Sequence, residues 1–313
     1  FMLSSFLVGL FIKTDPIVAT SPQFFTAISG RWLAFWKRRK WVMEVRDIWP
    51  ESIKAVGAMK DGYILKFFEY LEHEMYESAD KIVVVTDSFK KYIVETHGIE
   101  KSKVGVVKNG INSDQFIPKD KDQQLLKDLN LEGKFIIGYI GTHGMAHALD
   151  FILASAHQLT NEKFHFLLVG DGANKQNLLI LKERLNLQNV TMLDNVDKNR
   201  VKDYISILDI GLVNLKKSDT FKSVIPSKIF ELCAMHKPIL IGVEGEAKKI
   251  VEDYKVGCAF IPEDYDSFES RLNDMYIDRS SYGFEDLLID FDRRKLSKKM
   301  LDFIIKRETV RVK

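Results

Sequence analysis

The sequence predicts an α/β protein with two parallel-sheet domains, and three observations support this prediction. The chain has 313 residues, which is more than one hydrophobic core usually organises. From Lys134 onward, six short apolar runs alternate with longer amphipathic stretches, which is typical of a doubly wound parallel sheet. A second set of four strand-like runs and intervening helical stretches precedes this region. We therefore expect two Rossmann-type domains in series.

The second domain is predicted to cover residues 134–292. Its expected strands are FIIGYIG, FHFLLVG, VTMLDNV, DIGLVNL, PILIGV and CAFI. The stretches with helical periodicity between them are HALDFILASAHQL, KQNLLILKERL, KNRVKDYISIL, PSKIFELCAM and EAKKIVEDY.

The first domain is predicted to cover residues 1–118, with strands PIVAT, WVMEV, KIVVVT and KVGVV. Helices are predicted at FFTAISGRWLAFWKR, ILKFFEYLEHEMYESA and DSFKKYIVETH. The set opens without the first strand and glycine turn with which such a domain normally begins, and the first residue is Phe1. We therefore expect this domain to be incomplete at its N-terminus. The polar stretch 119–133 is predicted to be a linker, and 293–313 a C-terminal helix that packs back on the first domain.

Composition narrows the classes of function. A formal net charge of +2 gives no global argument for nucleic-acid binding. Cys233 and Cys258 lie inside apolar segments, which favours free thiols in a reducing cytoplasm over disulfides or a zinc site. The apolar run FMLSSFLVGLFIK is shorter than the ~20 residues that a membrane-crossing helix needs. It also lacks the basic region and cleavage site of a signal peptide.

Two glycine-containing turns follow predicted strands of the second domain. Gly141, Thr142, His143 and Gly144 come after its first strand, and Gly170-Asp171-Gly172 after its second. Ligands of open α/β sheets bind outside the carboxyl ends of the strands, and glycines let the backbone approach an anion closely. Each turn is equally compatible with a tight strand-to-helix connection.

A second candidate element is the segment PSKIFE, which starts at Pro226. Pro226 suits a first helical turn, and Ser227 would lie at the positive end of the helix dipole, where a diphosphate is stabilised. Glu231 follows Ser227 and Lys228 at i+4 and i+3, so it would lie on the same helix face and could accept hydrogen bonds from ribose hydroxyls. The alternative is a capped surface helix.

Taken together and in order, these motifs resemble glycosyltransferase family 4, the retaining enzymes of the GT-B fold. The resemblance comprises Asn109-Gly110-Ile111, the two glycine turns and PSKIFE before a Lys-Pro strand. It is closest to bacterial enzymes of surface-polysaccharide assembly, including fucosamine transferases, which share the segments EVRDIWPES and AVGAMK.

The resemblance implies two Rossmann-like domains that face a cleft. It implies transfer of a sugar from a nucleotide diphosphate donor, with UDP expected, to a lipid-linked or polysaccharide acceptor, with retention of configuration and with no cofactor required. Glu231 becomes the ribose ligand, and the donor diphosphate is expected near Gly144, Ser227 and Lys228. Further donor contacts are expected from Lys216 and Lys222 with the phosphates, and from Asn195 and Val196 with the base; the two lysines could equally be solvated loop residues.

The sequence departs from the family pattern at one position. The family's pair of glutamates, with seven residues between them, would require Glu at position 223, where this chain has Ser223. A GT-B sugar-nucleotide epimerase and a non-catalytic nucleotide-sugar-binding relative therefore remain alternatives. We also expect the 313-residue chain alone to turn over poorly.

The acceptor side is predicted at Arg46, Asp47 and Trp49, which follow a buried strand of the first domain. Asp47 could orient or deprotonate an acceptor hydroxyl, or simply cap the next helix. His143 is a second candidate catalytic residue, with ordinary backbone hydrogen bonding as its alternative. The pairs Asp264/Asp266 and Asp290/Asp292 lie after the last strand, and we expect no metal there.

A basic and aromatic segment suggests a membrane face. It contains tryptophans and basic residues without an acid, a mixture suited to anionic lipid headgroups. We expect the protein on the cytoplasmic side of the cell membrane as a peripheral protein, although a core-packed helix with a solvated basic end would explain the same pattern. The predicted face consists of Arg31, Trp32, Trp36, Lys37, Arg38, Arg39, Lys40 and Trp41.

Overall fold

The computed structural model describes residues 1–21, 24–55, 57, 62–112, 114–278 and 282–305. The chain divides into two compact units. The first consists of Phe1–Asn109 together with the chain from Arg293 onward, and the second of Gly110–Asp292. The division at Asn109 lies before the expected boundary at 118, because the Ile111 amide donates to the Phe291 carbonyl at 3.0 Å and the Ile111 side chain is buried in the second unit. Part of the segment AVGAMK lies outside the described residues.

The second unit is built on a six-stranded parallel sheet, as its apolar runs predict. The strand order is β10-β9-β8-β5-β6-β7. Numbered within the unit, this is 6-5-4-1-2-3, the doubly wound order, with a reversal between β5 and β8. The strands are β5 (Phe135–Ile140), β6 (Phe164–Val169), β7 (Val190–Leu193), β8 (Ile210–Asn214), β9 (Ile239–Gly242) and β10 (Gly257–Ala259).

Helices cover this sheet and bury large side chains such as Phe164, Phe166 and Phe268 against it. These are α7 (Leu149–Gln158), α8 (Lys175–Arg184), α9 (Val201–Ser206), α10 (Lys228–Ala234), α11 (Glu246–Asp253), α12 (Tyr265–Ile277) and α13 (Phe284–Asp290).

The predicted linker 119–133 is folded as part of the second unit. It contains α6 (Gln123–Asp128), which begins after Asp122, whose carboxylate accepts from the Leu125 amide at 3.0 Å. Leu125, Leu126 and Leu131 are buried. Many charged residues surround these leucines, which is why the composition of the stretch resembles that of a linker. Burial of the leucines nevertheless stabilises the helix against the second unit.

The first unit contains a four-stranded parallel sheet whose order follows the chain, β1-β2-β3-β4. Because successive parallel strands are neighbours, the connecting helices pack on one face. The strands are β1 (Ile17–Ser21), β2 (Trp41–Val45), β3 (Lys81–Val84) and β4 (Val104–Val106). The helices before and between them are α1 (Met2–Leu10), α2 (Phe24–Lys37), α3 (Glu51–Ala55), α4 (Tyr63–Ser78) and α5 (Asp87–His97). Among the described helices, none combines the length and hydrophobicity required to cross a bilayer.

The last helix, α14 (Arg293–Ile305), packs on this sheet. Its apolar residues Leu296, Met300, Phe303 and Ile304 cover Val42, Val83 and Val107. The Lys81 ammonium donates to the Phe303 carbonyl at 2.6 Å, which stabilises the negative end of the helix dipole. A Cβ on Gly105 would lie 2.7 to 2.9 Å from the Phe303 ring, so the helix approaches the sheet at a position where only glycine fits.

Gly105→Ala should loosen this helix. The added methyl group overlaps the Phe303 ring, and overpacking of this kind costs about 1–3 kcal/mol of the free energy of unfolding. Urea unfolding of the variant measures the loss. Gly62→Ala is the matched control, because a Cβ there meets no atom of the described residues within 4 Å; an equal loss in both variants would contradict the proposed packing.

Candidate functional site

The site lies where the strand order of the second unit reverses, at the carboxyl ends of β5 and β8. Gly141 follows β5 with a φ of +146°, and its amide donates to the Val169 carbonyl at 2.8 Å. A Cβ on Gly141 would lie 2.4 Å from Cε and 2.5 Å from Nζ of Lys228. The side chain of Lys228, from the start of α10, therefore lies directly against the backbone of the first glycine turn.

The two glycine turns interlock. The His143 amide donates to the Asp171 carbonyl at 2.8 Å, and the Asn174 amide donates to the His143 carbonyl at 2.9 Å. A Cβ on Gly170 would lie only 1.9 Å from the Gly141 carbonyl oxygen. The turns after β5 and β6 therefore form one rigid backbone surface.

The His143 side chain is fully buried between these turns. Neither ring nitrogen has a hydrogen-bond partner among the residues that the structure describes. Burial, with the nearby charge of Lys175, lowers its pKa to about 4, so the ring is neutral at pH 7. Since the ring has no exposed surface, direct proton transfer to a substrate is not supported, and the structure assigns His143 to the packing of the turns.

Lys228 and Glu231 come together at the same strand ends. The Lys228 ammonium lies 4.9 Å from the centre of the Tyr139 ring. Burial lowers its pKa, and Glu231 opposes this shift. Both side chains line a small cavity with Gly138, Ile140 and Leu212. The site therefore holds a cation that has lost much of its hydration, and such a group gains most from a bound anion.

Pro226 and Ser227 precede α10 as expected, with Pro226 half-buried and Ser227 exposed. Ser227 has helical backbone angles and makes no side-chain cap, so its hydroxyl points to no amide of the helix start. Thr142 contributes its carbonyl, which accepts from the Tyr139 hydroxyl at 2.8 Å. Gly144 precedes the 3₁₀ turn at Met145–His147.

The two predicted phosphate lysines have different surroundings. Lys216 is half-buried, and its amide donates to the Ala146 carbonyl at 2.9 Å. The Lys222 ammonium pairs with Asp219 at 2.7 Å and Glu244 at 3.5 Å, so its charge is already compensated. Ser223 donates to the Thr220 carbonyl at 2.8 Å.

The predicted base-binding residues follow β7. Asn195 is exposed and Val196 half-buried. Asp171, in the neighbouring turn, is exposed and its carboxylate accepts from the Gly172 amide at 2.7 Å. These residues are available at the same sheet edge as Gly141.

Sequence reasoning missed the groups that fix the turns. The Lys175 ammonium, almost fully buried, donates to the carbonyls of Gly170 at 2.9 Å and Leu193 at 2.5 Å. The Asn214 amide donates to the His147 and Ala148 carbonyls at 2.6 and 3.2 Å. A polar residue at the end of the buried strand β8 was a usable signal for Asn214, whereas Lys175 resembles any lysine at a helix start.

In the first unit, the predicted acceptor residues lie after β2. The Arg46 guanidinium donates to the Asn109 side-chain oxygen at 2.9 Å, across the end of β3. Burial raises the pKa of Asp47, while hydrogen bonds from Ser52 and the Ile48 backbone lower it. Trp49 packs edge-on against Phe68, with ring centres 4.6 Å apart.

The predicted membrane face needs one correction. Trp41 is buried in β2 and its indole donates to the Ser78 carbonyl at 2.8 Å. It is buried because β2 is an interior strand, between β1 and β3, with nearly all of its residues in the core. Lys37 donates to the carbonyls of Gly9, Leu10 and Ile12 at 3.0, 2.8 and 2.7 Å, so it caps α1. The exposed members are Trp32, Trp36, Arg38, Arg39 and Lys40, with Arg31 half-buried.

The fold matches a known class of structure. The crystal structure of Anabaena HepE in complex with UDP-glucose superposes with a TM-score of 0.78 at 14% identity, covering 97% of this chain and 81% of that one. With the two parallel-sheet units, this similarity confirms the GT-B fold that the sequence resemblance implied.

The chain belongs to the group 1 glycosyl transferases, whose family model matches residues 120–285, more than half of the 313 residues. A model for Glycosyltransferase Family 4 matches residues 7–115. Pseudomonas aeruginosa WbjE, named as a proposed glycosyltransferase, is 25% identical over 78% of this chain. Bacillus subtilis TuaH, proposed as a glycosyltransferase of teichuronic acid biosynthesis, is 27% identical over 64% of this chain. The chain spans 62% and 49% of the lengths of these two relatives.

Buried His143 should make stability pH-dependent. Its pKa is lowered from 6.5 to about 4 on folding, so the unfolded state binds more protons between these values and stability falls as pH drops through that window. From pH 7 to 5 we expect a loss of about 2 kcal/mol from this group. Urea unfolding at both pH values should show a smaller loss in His143→Gln. An unchanged loss would contradict the neutral buried ring.

Proposed function

We propose that the protein transfers a sugar from a nucleotide diphosphate donor, a UDP-sugar, to a lipid-linked acceptor in the synthesis of a cell-surface glycan. We place this reaction at the inner face of the cell membrane, with the protein bound peripherally. The donor site is proposed at the strand-order reversal of the second unit, and the acceptor side near Arg46 and Asp47.

One observation carries the donor site: a poorly hydrated ammonium lies against a glycine turn where the strand order reverses. A Cβ on Gly141 would lie 2.5 Å from Nζ of Lys228. A diphosphate at this position would contact the positive charge of Lys228 and the backbone of Gly141, which has no side chain. Both features favour the binding of a bulky anion. Its negative charge would also raise the lowered pKa of Lys228 towards the usual value.

Glu231 supports a nucleoside rather than a simple phosphate ligand. It lies one helical turn after Ser227 and lines the same cavity as Lys228. A carboxylate one helical turn from the proposed diphosphate position can accept hydrogen bonds from two neighbouring ribose hydroxyls. Asn195 and Val196, which follow β7, are proposed to contact the base.

The proposed reaction breaks the bond between the anomeric carbon and the diphosphate oxygen and forms a bond from that carbon to an acceptor hydroxyl oxygen. Negative charge then accumulates on the departing diphosphate, and Lys228 with the backbone of the first glycine turn would stabilise it. The hydroxyl loses its proton as the bond forms, and Asp47, whose pKa is raised by burial, is the proposed acceptor of that proton. Lys222 contributes less, because Asp219 and Glu244 already compensate its charge.

The relatives support the choice of substrates. HepE binds UDP-glucose, TuaH is proposed to act in teichuronic acid biosynthesis, and an Escherichia coli relative, WcaI, in colanic acid biosynthesis. Retention of configuration and independence of a cofactor follow from the family resemblance alone. Ser223 occupies the position of the family's first glutamate, so other residues must contact the donor sugar in its place.

Glu231→Ala should weaken UDP binding by about 1–3 kcal/mol, since hydrogen bonds to a charged group are lost. Lys228→Met should weaken it by a similar amount through the lost charge. Isothermal calorimetry measures both. Glu183→Ala, an exposed glutamate at the end of α8, is the matched control. UDP affinity that is unchanged in Glu231→Ala would remove Glu231 from the site.

Turnover separates transfer from epimerisation. The protein is incubated with UDP-sugars, with and without a lipid-linked acceptor. Transfer predicts a glycosylated lipid and released UDP only when the acceptor is present. An epimerised nucleotide sugar without acceptor would overturn the proposal.

A further inference from the structure

Helix α2 of the first unit is packed with its small residues inward and its aromatic residues outward. Ala27, Gly30 and Ala34 are buried against the sheet, and a Cβ on Gly30 would lie 2.5 Å from the Cβ of Ala19 in β1. The outer side carries Phe35 and Trp36, with exposed fractions of 79% and 69%. A helix on a sheet normally turns its large apolar residues inward and polar ones outward, so this arrangement is inverted.

The outward position of these aromatic residues is fixed by neighbours on both sides. On one side α1 packs against α2, with the rings of Phe6 and Trp32 5.9 Å apart. On the other side α4 contacts it through Phe25 and Phe68, 6.4 Å apart, and the Arg31–Glu74 ion pair at 3.2 Å. With the sheet below and a helix on each flank, only the outer surface remains for the rings.

Helix α4 extends the same surface. Tyr63, Phe67 and Tyr70 recur at intervals of four and three and form one stripe, and they are exposed to 93%, 56% and 58%. The exposed large apolar residues of the two helices are together named the aromatic face. It consists of Phe25, Trp32, Phe35 and Trp36 of α2 and Tyr63, Ile64, Phe67 and Tyr70 of α4.

The charge beside the aromatic face selects its partner. The first 40 residues contain six basic residues and a single acid, Asp15. Arg38, Arg39 and Lys40 are exposed directly after α2, and Arg39 lies 3.6 Å from Asp15. Most acids of α4 lie in its second half, where Glu72 is buried and Glu74 pairs with Arg31. Exposed tryptophans and phenylalanines next to clustered cations match the interface and the phosphates of an anionic bilayer.

We propose that the aromatic face lies in the interface of an anionic membrane, with α2 and α4 parallel to its plane and Arg38, Arg39 and Lys40 on lipid headgroups. This inference deepens the proposed function, because it names the surface by which the enzyme meets the carrier of its acceptor. It assigns the insertion to Phe35 and Trp36 and excludes Trp41, which the strand β2 buries.

The test is flotation of the full chain with vesicles of phosphatidylcholine alone or with phosphatidylglycerol added. We expect binding to the anionic vesicles that weakens with salt. The double variant Phe35→Ser/Trp36→Ser should bind at least about tenfold more weakly, because two apolar side chains no longer insert. Arg38→Gln/Lys40→Gln should also lose about tenfold, since two cations near the surface are removed.

Matched controls use equally exposed residues of the second unit. Ile180→Ser/Ile277→Ser, at 56% and 81% exposure, and Lys127→Gln/Lys202→Gln should bind vesicles like the wild type. Brominated lipids should quench tryptophan fluorescence, and the quenching should decrease in Trp36→Phe, in which Trp32 of the aromatic face still contributes. Equal vesicle binding by wild type and Phe35→Ser/Trp36→Ser would overturn the proposal. So would a wild-type dimer in sedimentation that does not bind vesicles and dissociates in this variant, because the face would then cover a second copy.

The outcome is separable from that of the donor site. UDP affinity by calorimetry should be the same in all these variants and in the wild type, because the aromatic face belongs to the first unit. Vesicle binding without UDP binding would contradict only the donor site, and UDP binding without vesicle binding only the aromatic face.

Discussion

The contact between the glycine turns and Lys228 is the constraint on which the rest of the site depends. A Cβ on Gly170 would lie 1.9 Å from the Gly141 carbonyl oxygen, and a Cβ on Gly141 would lie 2.4 Å from Cε of Lys228. This packing is possible only because β5 and β6 are neighbours and α10 begins beside β8. The doubly wound strand order thus determines which loops meet, and the glycines determine how closely they do so.

Buried polar groups bond the backbone at this edge of the sheet. Lys175 bonds the ends of β6 and β7 from within, and Asn214 holds the turn that leads into α7, where Ala148 has a φ of +44°. A buried ammonium is costly unless its donors are satisfied, and here two carbonyls and Asp194, at 3.5 Å, satisfy it. Such groups preorganise the backbone, so that little conformational entropy is lost when a ligand binds.

All ten described strands could be predicted from the sequence, because buried parallel strands are continuous apolar runs. The residues after those strands could be predicted for the same reason, since strand ends place them at one edge. The predictions that were wrong rested on local composition alone and took no account of tertiary contacts. The charged neighbours of Leu125 and Leu126 suggested a linker, and the basic run before Trp41 suggested a membrane residue where a strand begins. The burial of His143 and Lys175 depends on contacts between separate turns, which spacing in one sequence does not encode.

The position of α14 has a consequence for biogenesis. The sheet of the first unit exposes Val42, Val83 and Val107 until Phe303 and its neighbours cover them, and these covering residues leave the ribosome only after segment 110–292. The central segment 110–292 can complete its own core while the earlier-made sheet still waits for its cover. The first unit should therefore complete its packing only after the second unit has been translated, and its uncovered apolar sheet face would benefit from chaperone protection in that interval.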